Sequence, residues 1–216
     1  MMNTNIEKTI EALQSNRMEV HYVDTAEQAK ALALSMIPEG SSCVNGGSVT
    51  LAETGVIDAL KEGNYRYIDR MIPGMTQEQK DEAMRAAFGA DFYLSSANAI
   101  TEDGELYNVD GNSNRVAALL WGAKNVIVVA GVNKLVKNLD EAVLRVKTVA
   151  APKNAVRLSC NTPCAKLGHC ISLERNGGMT DGCKTPARIC ANFTVMAYQR
   201  HPNRVKVILV GESLGY

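Results

Sequence analysis

The stretch NVIVVAG, residues 125–131, is the clearest buried strand in the chain. Its apolar residues run without a polar break and are mostly β-branched, which describes a strand covered on both faces. VKVILVG, residues 205–211, repeats the pattern. Working outward, RVAALLWGA (115–123) and LDEAVLRVKTVAA (139–151) flank the first strand and read as helices. Strands alternating with helices place the chain in the α/β class, with a largely parallel sheet between helical layers.

The N-terminal half follows the same rhythm. NIEKTIEALQSN spaces Ile6, Ile10 and Leu13 as one face of an amphipathic helix, and MEVHYV follows as a short strand. Asp24 or Thr25 caps a helix through AEQAKALALSMI, which Pro38-Glu39-Gly40 ends. SSCVN is a strand, SVTLAETGVIDALKEG one helix ending at Gly63, and YRYID a third strand. TQEQKDEAMRAAFG is a capped helix, ADFYLSSANAIT starts a fourth strand, and EDGELYNVDG has the turn signal and alternation of a hairpin. No linker divides the chain, so residues 1–216 are expected to form one domain. Residues 151–190 lose any regular period and read as an irregular segment, Cys-rich from about residue 159 to 190.

Composition narrows the function. The 216 residues are 46% hydrophobic, enough for a substantial core. Lys plus Arg equals Asp plus Glu at 23 each, so net charge is zero and neither nucleic acid nor an anionic membrane is an expected partner. The start lacks the basic flank and apolar block of a signal peptide, and no apolar run approaches the roughly 20 residues of a spanning helix. A cytoplasmic location is expected. Thiols there are kept reduced, which disfavours a disulfide framework.

In open α/β sheets ligands bind beyond the carboxyl ends of strands. After SSCVN come Gly46, Gly47 and Ser48, where bare backbone and a helix start suit an anion. The same residues also suit a plain βα turn capped by Ser48. Asn98, the set Asp110, Asn114 and Arg115, and the pair Asn133 and Lys134 follow other strands. Turn preferences explain each alone; together they describe a polar rim for a phosphate- or carboxylate-bearing metabolite, with Arg115 and Lys134 neutralising charge. Glu212 offers a carboxylate as a candidate base or nucleophile, and Asp110 is the alternative. His21 and His201 read as ordinary packed or surface histidines, and Cys43 as core.

Five of the six cysteines fall between Cys160 and Cys190, spaced C-x3-C-x5-C and then C-x6-C. Short spacings on loops suit zinc or an iron–sulfur cluster, but no C-x2-C pair and no ferredoxin run is present. His169 offers a nitrogen beside Cys170. Metal ligands and free thiols both remain open on spacing alone.

SANAITEDGELYNVDGNSNRVAAL, NVIVVAGVNKLV, TPCAKLGHC, CKTPARIC and ILVGESLGY, in this order, resemble the lactate-utilisation (LUD) domain family over roughly residues 18–216. The resemblance implies a three-layer α/β/α fold like that of ribose-5-phosphate isomerase and CoA transferases. It also implies a place in lactate or other 2-hydroxy-acid utilisation beside iron–sulfur oxidoreductase subunits. The family's cysteine pattern falls on Cys164, Cys170, Cys183 and Cys190 and leaves Cys160 outside, so zinc or an iron–sulfur cluster at those four is expected. ISLERNGGMTDG lengthens the family's short spacer between Cys170 and Cys183. The resemblance identifies no catalytic residue. A CoA-transferase or sugar-phosphate isomerase-like enzyme, or a non-catalytic partner subunit, are the competing expectations.

Overall fold

A computed structural model describes residues 4–216 of the chain; residues 1–3 of the expected domain lie outside the described ones. The strands are β1 (Glu19–Val23), β2 (Ser42–Asn45), β3 (Arg66–Tyr67), β4 (Phe92–Ser95), β5 (Ala99–Thr101), β6 (Leu106–Asp110), β7 (Asn125–Gly131), β8 (Leu135–Val136), β9 (Asn192–Met196) and β10 (Val205–Val210). Six of them form a sheet in the order β1-β10-β7-β4-β2-β3. All its pairings are parallel. The others form a smaller sheet, β8-β5-β6-β9, in which β6 runs antiparallel to β5 and β9.

The helices are α1 (Thr4–Ser15), α2 (Ala26–Ser35), α3 (Val49–Glu53), α4 (Val56–Glu62), α5 (Gln77–Ala86), α6 (Asn114–Leu120), α7 (Leu139–Arg145), α8 (Ala151–Arg157) and α9 (Pro163–Leu167). Alternation along β7 explains the layers. Val126, Val128 and Ala130 join Leu13 of α1 and Ala118 and Leu119 of α6 in one core. Ile127 and Val129 join Ala29 and Ala33 of α2, Leu51 of α3 and Leu60 of α4 in another. A sheet buried on both faces between helices is the three-layer α/β/α arrangement expected from the sequence. A third, smaller core sets Ala99 and Tyr107 of the second sheet against Ala142 and Val146.

Local chemistry sets the helix starts. Thr25 caps α2 in a capping box with Gln28, so Thr25 rather than Asp24 is the cap; Thr76 and Gln79 repeat the device at α5. The single helix expected over SVTLAETGVIDALKEG is instead α3 and α4, divided where Gly55 takes a left-handed φ of 71°. The third strand is only two residues long. Residues 151–157, expected to be irregular, continue the helix of α7 through a π-helical stretch over Val146–Ala150 into α8. Pro152 is tolerated inside this continuous helix because it closely follows the π-helical stretch, where the regular i→i−4 ladder is already interrupted. The strand β9 was not expected; its NFTVM alternates too weakly in hydrophobicity to stand out.

Candidate functional site at the strand ends

The chain passes from β2 outward to β3, then back inward to β4, β7 and β10. Strand order therefore reverses between β2 and β4, and the crevice beyond their carboxyl ends is where such sheets hold ligands. A cavity of about 320 Å³ opens there. Gly47 and Ser48 follow β2, Ser96 and Asn98 follow β4, Lys134 follows β7, and the β6–α6 turn supplies Asp110, Asn114 and Arg115; all of them line it. Gly46 sits just behind this rim, where a Cβ would fall 2.7 Å from the Tyr93 hydroxyl and 3.0 Å from Arg115. Only glycine allows that approach. Asn133 faces elsewhere and ties down the C-terminal segment, its Oδ1 accepting from Leu214 N–H at 3.1 Å.

Charge is concentrated in the cavity although the chain is neutral. Arg70, Arg115, Arg157, Arg188 and Lys134 line it against one acidic side chain among the described residues, Asp110. Their donors are not equally available. Arg115 gives Nη1–H to Asn108 Oδ1 (2.8 Å) and Nη2–H to Val109 O (2.7 Å) and Asn98 Oδ1 (3.0 Å). Its Nε stands 3.5 Å from Asp110 Oδ2. Arg115 is thus the pin of the β6–α6 turn. Arg188 is committed to the carbonyls of Thr180, Cys183 and Cys190. Arg157 bonds Asn154 and the Tyr216 hydroxyl. Arg70, whose Nη2 lies 3.1 Å from where a Gly47 Cβ would be, donates no hydrogen bond and forms no ion pair among the described residues.

Lys134 is 3% exposed. Its Nζ donates to Thr50 Oγ1 at 2.7 Å and Ser96 Oγ at 2.9 Å, both neutral hydroxyls. Burial, reinforced by the Arg145 and Arg115 guanidinium groups, lowers its pKa from 10.5 to about 7 against an opposing pull from Glu53. Ser48 does cap α3, accepting from Leu51 N–H at 3.2 Å. At five residues, α3 carries little macrodipole. Glu212 points away from the cavity lining, its Oε2 accepting from Ala26 N–H at the start of α2.

A second, tighter cavity of about 20 Å³ is lined by Cys164, Cys170, Cys183 and Cys190, with Tyr107 and Lys147. Cys160 does not reach it. The segment is tied in place by two cations. Arg188 bonds the carbonyls already named, and buried Lys147 donates to Ser172 Oγ (2.8 Å), Gly177 O (2.9 Å) and Gly178 O (2.5 Å). Ser172 Oγ lies 3.3 Å from Cys170 Sγ, so the Lys147 charge is relayed towards that thiol. The Tyr107 hydroxyl is buried without a hydrogen-bond partner among the described residues. Among the described residues no three His, Cys, Asp or Glu side chains close around a single metal ion. His169 contacts Glu174 at 3.3 Å, away from the cavity. Cys43 is core, and burial pushes its thiol up to about 11.

The sequence pointed to most of the rim and missed Arg70, Thr50, Ser96, Arg157, Arg188 and Tyr216. Arg70 had a legible signal, since it lies just past the third strand in YIDR. Thr50 and Ser96 lie far apart in sequence and meet only through Lys134, so no local signal marks them.

The LUD domain profile matches residues 6–210. No curated protein matches the chain. Among solved structures it is similar to a DUF162 family protein from Deinococcus radiodurans, 16% identical, with 96% of each chain covered and a TM-score of 0.49. It is also similar in part to eIF2B beta from Chaetomium thermophilum, 16% identical over 52% of this chain and 43% of that one, TM-score 0.35. eIF2B delta from the same organism is 20% identical over 64% and 54%, TM-score 0.34. Among the described residues no helix is long and apolar enough to cross a membrane.

Proposed function

The chain belongs to the LUD-domain family, and on that footing we propose that it binds a small anionic metabolite in the strand-end cavity, in the service of lactate or related 2-hydroxy-acid utilisation. The observation that carries the binding reading is the charge of the cavity: the side chains of four arginines and a lysine face one acidic side chain, that of Asp110, among the described residues of a chain of zero net charge. Among the described residues Arg70 donates no side-chain hydrogen bond and forms no ion pair, so a ligand's carboxylate or phosphate supplies its missing counter-charge. The link to 2-hydroxy acids comes from the family. Titration calorimetry with inorganic phosphate, lactate and pyruvate tests the reading. Binding that Arg70→Ala weakens supports it; no binding of any of the three, or equal binding by the variant, overturns it.

A second reading concerns the four cysteines, which we propose hold an iron–sulfur cluster and dock the chain with iron–sulfur oxidoreductase subunits. Support comes from four thiols around one small cavity, the Lys147 charge beside them and a Tyr107 hydroxyl that has no partner among the described residues and can donate to sulfur. Zinc draws four thiolates to about 2.3 Å from one ion, whereas a four-iron cluster binds each thiolate through a different iron and spreads them. A bound cluster would supply one-electron chemistry; the residues here would hold and shield it. Iron, sulfide and visible absorption of anaerobically purified protein test this. Stoichiometric zinc in colourless protein would replace the cluster with a structural ion.

A further inference from the structure

We propose that the Lys134 amine, held between Thr50 and Ser96 in the strand-end cavity, is a nucleophile that condenses with the carbonyl of a small anionic ligand. The proposal rests on the anion-binding reading above and gives it a substrate class: 2-oxo carboxylates, or aldehydes and ketones that carry phosphate.

A lysine ammonium has three N–H donors, whereas a neutral amine has two and a lone pair. Buried Lys147 meets three acceptors, Ser172 Oγ and the carbonyls of Gly177 and Gly178, as an ammonium requires. Lys134 meets two, Thr50 Oγ1 and Ser96 Oγ. The Thr50 hydroxyl donates its own proton to Leu214 O at 3.2 Å, so it accepts from the amine. Both N–H bonds of a neutral amine are thereby satisfied, and its lone pair is left over.

Electrostatics agree with the count. Lys134 forms no ion pair with a carboxylate among the described residues, and a buried ammonium without one is costly. The charged groups acting on it are Arg145 of α7 and Arg115 of α6, which oppose protonation, and Glu53 of α3, which favours it. The balance holds the amine at about 7, so a large neutral fraction coexists with an anion-attracting rim. Arg70 and the field of Arg115 would take the ligand's anionic group, bringing the carbonyl of a short ligand to the amine.

The chemistry needs no other reactant. Nitrogen adds to the carbonyl carbon, the C–O bond breaks, and both amine protons leave with the oxygen as water, giving an imine. No electrons are gained or lost. The Ser96 hydroxyl, 2.9 Å from Nζ, lies within reach to pass the protons.

The full chain should be incubated separately with glyoxylate, pyruvate and dihydroxyacetone phosphate, reduced with borohydride and mapped by peptide mass spectrometry. The expected result is one reduced adduct per chain on Lys134, its yield rising as pH climbs through about 7. The arm that gives the adduct separates 2-oxo carboxylates from carbonyl phosphates. Because the site is mapped in the wild type, the answer does not depend on a variant folding; Lys134→Met should show no adduct. Ligands that bind by calorimetry yet leave Lys134 unmodified, or that label surface lysines equally, overturn the nucleophile and leave anion binding intact. No binding by any arm removes the anion-binding reading and the inference with it.

Discussion

Two arginines of the same cavity show how differently one residue type can serve. Arg115 and Asp110 are a nearly buried pair, their side chains 15% and 10% exposed. Removing Arg115 would strand the carboxylate and leave Asn98, Asn108 and the Val109 carbonyl without their donor. Breaking such a pair costs about 3–5 kcal/mol, so Arg115→Ala should lower the denaturation midpoint sharply. Arg70 donates no side-chain hydrogen bond and forms no ion pair among the described residues. Arg70→Ala should leave the midpoint in place and weaken phosphate or carboxylate binding roughly ten- to hundredfold, the value of a charge-assisted bond of roughly 1.5–3 kcal/mol. Chemical denaturation and calorimetry on the two variants separate these outcomes. Lys134 adds a pH dependence. Its folded value of about 7 lies below the unfolded 10.5, so between those values the unfolded chain binds more protons and this lysine's contribution to stability rises with pH. Below about 7 the full penalty of the buried charge applies. The difference in unfolding free energy between Lys134→Met and wild type should therefore shrink as pH rises from 7 to 10.5, and a difference independent of pH would show that Lys134 stays charged.

Elements, unlike single residues, owe their form to neighbours the sequence does not place side by side. NVIVVAG was legible because both of its faces are apolar, and β7 has the bounds read from it. The break at Gly55 was not, because one glycine inside a helical pattern is tolerated as often as it divides one. Strand β9 exists because β6 offers it a partner from Leu106 to Asp110, a pairing across more than eighty residues of chain. The rim of the cavity was legible in outline because strand ends are fixed once strands are known. Its partition into pins and free cations was not, since that depends on hydrogen bonds between distant loops. The cysteine segment follows the same rule. Arg188 ties Thr180, Cys183 and Cys190 through three carbonyls, and each such bond contributes roughly 1.5–3 kcal/mol. Arg188→Gln should speed proteolysis across residues 176–190 by orders of magnitude while α7 and the sheets stay protected. Unchanged cleavage would mean that packing, and not this side chain, holds the loop.

At the scale of the whole molecule the two sites differ in what supports them. The strand-end cavity stands on the six-stranded sheet, whose faces are filled by the two large cores. The cysteine cavity leans on the smallest core, sharing Tyr107 and Val146 with it. A group bound by thiolates would couple to local folding there, because ligand bonds form only when the segment is in place. The sheet has its own buried surface and does not need that help. Cys164→Ser, Cys170→Ser, Cys183→Ser and Cys190→Ser should each lower bound metal and quicken hydrogen exchange across residues 160–190. Amides of β7 and β10, buried at the centre of the sheet, should stay protected in all four. Cys160 lies outside the cavity lining, its Sγ resting 3.9 Å from Leu158 O, so Cys160→Ser should change neither metal content nor exchange. Metal analysis and exchange mass spectrometry on the five variants give both readings from one preparation. Metal loss in Cys160→Ser equal to that of the others would disprove this choice of ligands. Collapse of protection in β7 would show that the sheet depends on the cysteine segment after all.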